Sequence, residues 1–250
     1  MLAFGDPVFP SDSATPFGDG ALPRLSASGR EAKLVAGYAA TADVRLRDRA
    51  TAEYLRYAEL DSFSVIHLAT HALVDDRALG RTALALSPGT SADGFVTPGE
   101  LAALELDADM VVLSACRTAG GVVVDGEGVQ GLTAPLLQAG ARSVVATSWR
   151  VGDRSTVRFV EGFYDELAAG KPVVEALRGA KLAALKQGAK PGVWAAFSVV
   201  GDPTVRIALR RPKPVAVWWA GAGGLGVVLA AAIAARRRRS AAGEAQLAKR

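Results

Sequence analysis

Sulfur and imidazole are scarce in this 250-residue chain, which holds one cysteine, two methionines and two histidines. A single cysteine excludes a fold built on disulfides. It leaves Cys116 as a small packed hydrophobe, a metal ligand or a nucleophile. Nor is there a weakly hydrophobic, highly charged composition. Half of the residues are hydrophobic and 22% are charged, so the chain is neither disordered nor collagen-like. No similarity recurs at a period of 20–50 residues, which excludes a repeat architecture. No glycine-rich phosphate loop opens a helix after the first apolar run. The segment GDPVFPSDS (5–13) holds two prolines and leads into a loop, which weighs against a flavodoxin-like small-molecule binder.

The body also lacks positive charge. Residues 206–250 hold ten Lys and Arg against the single acid Glu244, a net +9. Residues 1–205 carry a net −5, so the pI of 9.4 is a property of the tail. Phosphate neutralisation needs a basic face, so no nucleic-acid partner is expected.

Residues 215–235 (VAVWWAGAGGLGVVLAAAIAA) contain no charge at all. As a helix they extend roughly 30 Å, the thickness of bilayer hydrocarbon. Trp218 and Trp219 lie near one end and Arg236 to Arg239 stop the run. The expectation is a single-pass membrane protein: a body at 1–205, a basic linker at 206–214, a transmembrane helix at 215–235 and a basic tail at 236–250. The tighter basic cluster is C-terminal, which favours an external body, yet residues 1–25 show no basic n-region or apolar h-region. The side on which the body lies stays open.

Within the body, short apolar runs alternate with helical patterns. Strands are expected at Leu2–Gly5, Val44–Leu46, Ser64–Ala69, Met110–Ala115, Ser143–Ser148 and Phe197–Gly201. Helices are expected at Ser28–Ala42, with Ser28 as cap and Glu31 three residues on, and at Thr51–Glu59. A capping box at Thr97–Glu100 opens another. Val129–Ala139, Arg154–Ala169 and Val173–Lys186 follow, each stopped by a glycine. Residues 82–96 read as an inserted hairpin. This alternation predicts an α/β sandwich around a mostly parallel sheet, with ligands beyond the carboxyl ends of the strands.

That edge selects His71, after SVIHLAT, and Cys116, after MVVLSA. They are 45 residues apart, room for one crossover, so their strands are expected to be neighbours. An imidazole beside a thiol can take its proton and return one to a leaving amine, while backbone N–H groups hold the oxyanion. The bland alternatives are a packed thiol and a loop-capping histidine. His67 reads as a core histidine. A zinc site from His67, His71 and Cys116 lacks a close ligand pair, and no metal is expected.

The stretches IHLATHA (66–72), LSACRTAGG (113–121), GEGVQGL (126–132), AGARSVVATSWRVGD (139–153), FYDEL (163–167) and WAAFSVVGDP (194–203) resemble the CHAT family. That family is a bacterial branch of the caspase-like cysteine peptidases, related to separase. The resemblance covers about residues 1–205 and implies a caspase-like three-layer sandwich. It implies His71 as general base, Cys116 as nucleophile, and the backbone N–H groups of Ala72 and Cys116 as oxyanion hole. Ala72 departs from the usual glycine, and Arg117 from a common acidic residue. Separase-type relatives cleave after Arg or Lys using an acidic pocket residue. Asp153, Glu127 and Asp125, all read as loop positions, are the candidates, Asp153 first. Upstream tetratricopeptide repeats that bind activator or substrate are also implied, as is the absence of any cofactor. The resulting expectation is a membrane-anchored cysteine endopeptidase acting on protein or peptide. The competing one is an inactive caspase-like interaction module at the membrane.

Overall fold

The sequence's apolar runs alternate in the side to which they send their side chains, and the alternation sets the architecture. The computed structural model describes residues 1–9, 22–73, 82–90, 93–115, 129–149 and 151–212, with backbone alone at 129, 130, 153 and 154. In chain order the elements begin with β1 (Leu2–Pro7), α1 (Ser26–Ala36), β2 (Asp43–Arg47), α2 (Ala52–Tyr57) and β3 (Val65–Ala69). Next come β4 (His71–Leu73), β5 (Ala83–Ala85), β6 (Phe95–Val96), α3 (Pro98–Ala102) and β7 (Met110–Leu113). Then follow α4 (Thr133–Gln138), β8 (Ser143–Thr147), α5 (Asp153–Ala168), α6 (Val173–Lys186), α7 (Pro191–Trp194) and β9 (Phe197–Gly201).

Six strands form one sheet in the order β2-β1-β3-β7-β8-β9. All its pairs are parallel except β8 with β9. Leu2, Phe4, Ile66, Leu68, Val111, Leu113, Val144 and Ala146 pack into one core with α2, α3 and α4. Their neighbours Ala3, Val65, Met110, Val112 and Val145 pack into the other with α1, α5 and α6. Period-two alternation buried on both sides is what a three-layer sandwich requires. The edge strand β2 is half-buried throughout, as its single strand neighbour dictates.

Several boundaries differ from the sequence reading, each for a local reason. Helix α1 begins at Ser26 and is not capped by Ser28, whose Oγ instead donates to the Leu25 carbonyl at 2.8 Å and accepts from Asp6 N–H at 2.7 Å. Glu31 is likewise no capping partner, being buried against His67. The helix expected over 129–139 is a 3-10 turn, Val129–Leu132, followed by α4. Pro135 accounts for this, because proline fits only in a first helical turn. The Thr51 cap and the Thr97–Glu100 capping box form as expected. The 82–96 hairpin forms as β5 and β6, and β4 joins it in a separate antiparallel sheet.

The compact unit runs from Met1 to Pro212. Ile207 is buried in the core that faces α5 and α6, and Arg210 N–H donates to the Tyr38 carbonyl at 2.9 Å. No helix among the described residues is long and apolar enough to cross a membrane. The span expected at 215–235 lies outside the described residues.

Candidate active site

Strands β3 and β7 are hydrogen-bonded neighbours, in register from Val65 with Met110 to Leu68 with Leu113. The ladder continues one step further, with Ser114 N–H donating to the Leu68 carbonyl at 3.0 Å. The Thr147 hydroxyl, from the end of β8, donates to the Ala115 carbonyl at 2.9 Å. The backbone is thus fixed up to the residue before Cys116. Cys116 itself lies outside the described residues, as do Asp125 and Glu127.

His71 stands just past the carboxyl end of β3 and opens β4. Its side chain is buried, with the Phe9 ring 5.3 Å from the imidazole. Nε2 lies 2.7 Å from the Pro23 carbonyl. A carbonyl only accepts, so Nε2 carries the proton and Nδ1 is the basic nitrogen of the neutral ring. This selects the tautomer a general base needs.

The N–H of Ala72 follows from the ladder. Leu86 N–H donates to the Gly94 carbonyl at 2.8 Å, so Leu84, two residues earlier, also turns its polar groups toward β6. Ala72 pairs with Leu84 and therefore sits at a non-hydrogen-bonded position, its N–H directed away from β5. Among described non-glycine residues, Asp6 and Arg47 have positive φ. Ala72 therefore keeps an ordinary strand conformation, and replacing a glycine there carries no backbone strain.

His67 does not join this group. It lies inside β3 on the opposite core, wholly buried. Its Nε2 is 2.9 Å from Glu31 Oε1 and its Nδ1 is 3.1 Å from the Tyr164 hydroxyl. The carboxylate accepts from Nε2–H, which leaves Nδ1 to accept from the tyrosine. Burial, with the nearby Glu31 charge, raises the Tyr164 pKa well above the ordinary value and keeps it a donor. Both ring nitrogens of His67 are thus engaged by α1 and α5, whereas the partners of His71 come from Pro23 and Phe9.

Asp153, expected on a loop, is the first residue of α5. The cavity of about 380 Å³ between α5, α6 and α7 is lined by Arg158, Ala184, Gln187 and Lys190, and not by His71 or Ala72. The Pro23 carbonyl and the Phe9 ring were invisible to sequence reasoning. A main-chain acceptor 48 residues from His71 leaves no residue-type signal.

The CHAT domain sequence model matches residues 1–202. The chain belongs to the CHAT domain family. A stretch of 110 residues, 43% of this CHAT chain, is 32% identical to tetratricopeptide repeat protein 28 of Mus musculus. It spans 4% of that protein's length. Among solved structures, the Arg-specific cysteine proteinase gingipain R superposes with a TM-score of 0.52 at 12% identity. The match covers 85% of the CHAT chain and 48% of the gingipain chain. The fold is therefore the mixed α/β, mostly parallel fold of caspase-like cysteine peptidases.

Proposed function

We propose that this CHAT domain is a cysteine endopeptidase in which Cys116 attacks the scissile carbonyl and His71 moves the proton. The observation that carries this reading is the tie from His71 Nε2 to the Pro23 carbonyl at 2.7 Å. It sets Nδ1 as the base at the carboxyl end of β3, beside the strand that leads to Cys116. Thiolate forms as Nδ1 takes the thiol proton, and the same proton passes to the leaving amine as the acyl-enzyme forms. The N–H groups of Ala72 and Cys116 hold the oxyanion, and the direction of Ala72 N–H away from β5 supports that role. A water then hydrolyses the thioester.

The P1 residue is Arg or Lys in this reading, with Asp153 as its first acidic partner and Glu127 and Asp125 next. The name of the solved relative, an Arg-specific proteinase, is in keeping with that choice. Residues 215–235 anchor the enzyme in a membrane. A tetratricopeptide-repeat protein or segment serves as activator, in keeping with the name of the mouse relative.

The test is labelling of the full chain, in detergent, by an acyloxymethyl ketone bearing Arg or Lys at P1. Labelling that disappears in Cys116→Ala is expected. No labelling of a folded protein by that probe or by one with a neutral P1 would instead favour an interaction module without peptidase activity.

A further inference from the structure

The strand ends next to His71 hold an unusual constellation. Asp6, the penultimate residue of β1, adopts φ +47°, and Arg47, the last of β2, adopts φ +56°. Left-handed backbone at a non-glycine residue persists only where the surroundings over-determine it. At Asp6 they do. Its N–H donates to Ser28 Oγ at 2.7 Å. Its carboxylate, 8% exposed, accepts both arms of the Arg24 fork, Nε to Oδ1 at 2.9 Å and Nη2 to Oδ2 at 2.7 Å. Arg47 Nη1 adds a contact to Oδ1 at 3.3 Å. Gly29 leaves the room, since a Cβ there would lie 3.0 Å from Asp6 Cβ.

Arg24 directly follows Pro23, whose carbonyl receives His71 Nε2–H. One peptide plane carries both the accepting oxygen and the nitrogen of the clamped arginine. Proline fixes its own φ on the far side of that plane, and the torsions between the plane and the fork are those of Arg24 itself, held by the two fork contacts. Leu22, on the other side, is buried with Leu73 and Ala85. The segment is therefore pinned on both sides of the acceptor, and the side that carries charge is pinned by Asp6.

We propose that Asp6, through its fork with Arg24, is a positioning residue that holds the Pro23 carbonyl against His71 and so sets the base toward Cys116. The proposal rests on His71 being that base. Asp6 acts at two removes, where a buried carboxylate and a planar guanidinium give direction that a single point charge does not.

The lone thiol makes the test clean. The rate of iodoacetamide alkylation of the full chain is measured against pH, with Cys116 the single site. The variants are Asp6→Asn, which keeps a residue tolerant of left-handed backbone, Arg24→Ala, Arg24→Lys and His71→Ala. Melting temperature is recorded for each. The expected result is that Arg24→Ala and Asp6→Asn remain folded and raise the alkylation midpoint toward the ordinary thiol value. Alkylation at pH 6.5 slows about threefold to tenfold, the double variant being no worse than either single. Arg24→Lys restores only part of the effect, because lysine cannot form the fork. Arg24 is well exposed, so its variants stay informative if Asp6→Asn does not fold. Folded Arg24 variants with the wild-type profile, alongside a shifted His71→Ala, overturn the positioning role and leave the base intact. A lowered melting temperature with an unchanged profile does the same. An unmoved profile in His71→Ala removes the base itself, and the proposal with it.

Discussion

The buried bridge between α1, β3 and α5 lends itself to a staged perturbation. Glu31 and His67 are almost fully buried and 2.9 Å apart, with the Tyr164 hydroxyl on the other imidazole nitrogen. Replacing His67 by Leu strands a carboxylate in a dry layer and orphans the tyrosine hydroxyl. Breaking a buried pair from one side costs about 3–5 kcal/mol. In a domain of this size each kcal/mol moves the melting temperature by about 2–4 °C, so the loss should be roughly 6–20 °C. Adding Glu31→Met removes the stranded charge and should recover most of that loss, since apolar replacements of buried pairs are often neutral. Adding Tyr164→Phe removes the last orphan, worth about 1–3 kcal/mol, and should bring the triple variant near wild type. Circular dichroism melts of the full chain at pH 7 provide the assay. Losses that simply add from single to double to triple would refute the argument. So would a His67→Leu variant that melts within about 2 °C of wild type, because the pair would then not be energetically buried. The alkylation profile of Cys116 should stay unchanged in the folded triple variant, separating His67 from the chemistry assigned to His71.

Three further outcomes follow from local geometry. Thr97→Ala removes the side-chain half of the capping box of α3, leaving Thr97 N–H on the Glu100 carboxylate, and should cost about 1 kcal/mol in urea unfolding, with Ser retaining most of it. Gly140→Ala should cost more than about 2 kcal/mol, because φ is +113° and the new Cβ would sit 2.0 Å from the Leu106 carbonyl. Burial alone would raise the Asp43 pKa, but hydrogen bonds from Arg45 and Tyr54 outweigh it and hold the carboxyl below its ordinary value. A depressed carboxylate stabilises above its unfolded pKa, and the contribution is lost as pH falls through the folded one. Asp43→Asn should therefore destabilise at pH 7 and make little difference near pH 2.5, read as the difference in melting temperature at the two values.

The central strands were legible because parallel strands buried on both faces write themselves as near-continuous apolar runs; 110–113 is unbroken, 65–69 is interrupted by His67 alone, and 143–147 is polar at its two ends. The adjacency of β3 and β7 followed from the length of one crossover. Helix α6 matched to the residue, since Val173 and Gly188 bound an uninterrupted pattern. Misreadings arose where one local pattern had two physical uses. Ser28 and Glu31 have the spacing of a capping box, yet each is drawn by a partner distant in sequence, Asp6 and His67. Asp153 reads as loop because Gly152 and Asp153 together look like a turn, but that turn is the start of α5. The place of His71 just past the end of a strand was legible. The carbonyl that orients it was not, because every residue type carries one.

The strand order divides the main sheet by chain half. Strands β2, β1 and β3 come from residues up to Ala69, and β7, β8 and β9 from Met110 onward. Among the described strands, the β3–β7 ladder is the sole pairing that joins the halves. The chain segments that lead to His71 and to Cys116 are thus set against each other by the register of that one seam. A slip of two residues keeps every side chain on its own face and still moves one group past the other by about 6.6 Å, well beyond the reach of a proton transfer. For the dyad proposed above, fidelity of assembly along four residue pairs is therefore a condition of activity.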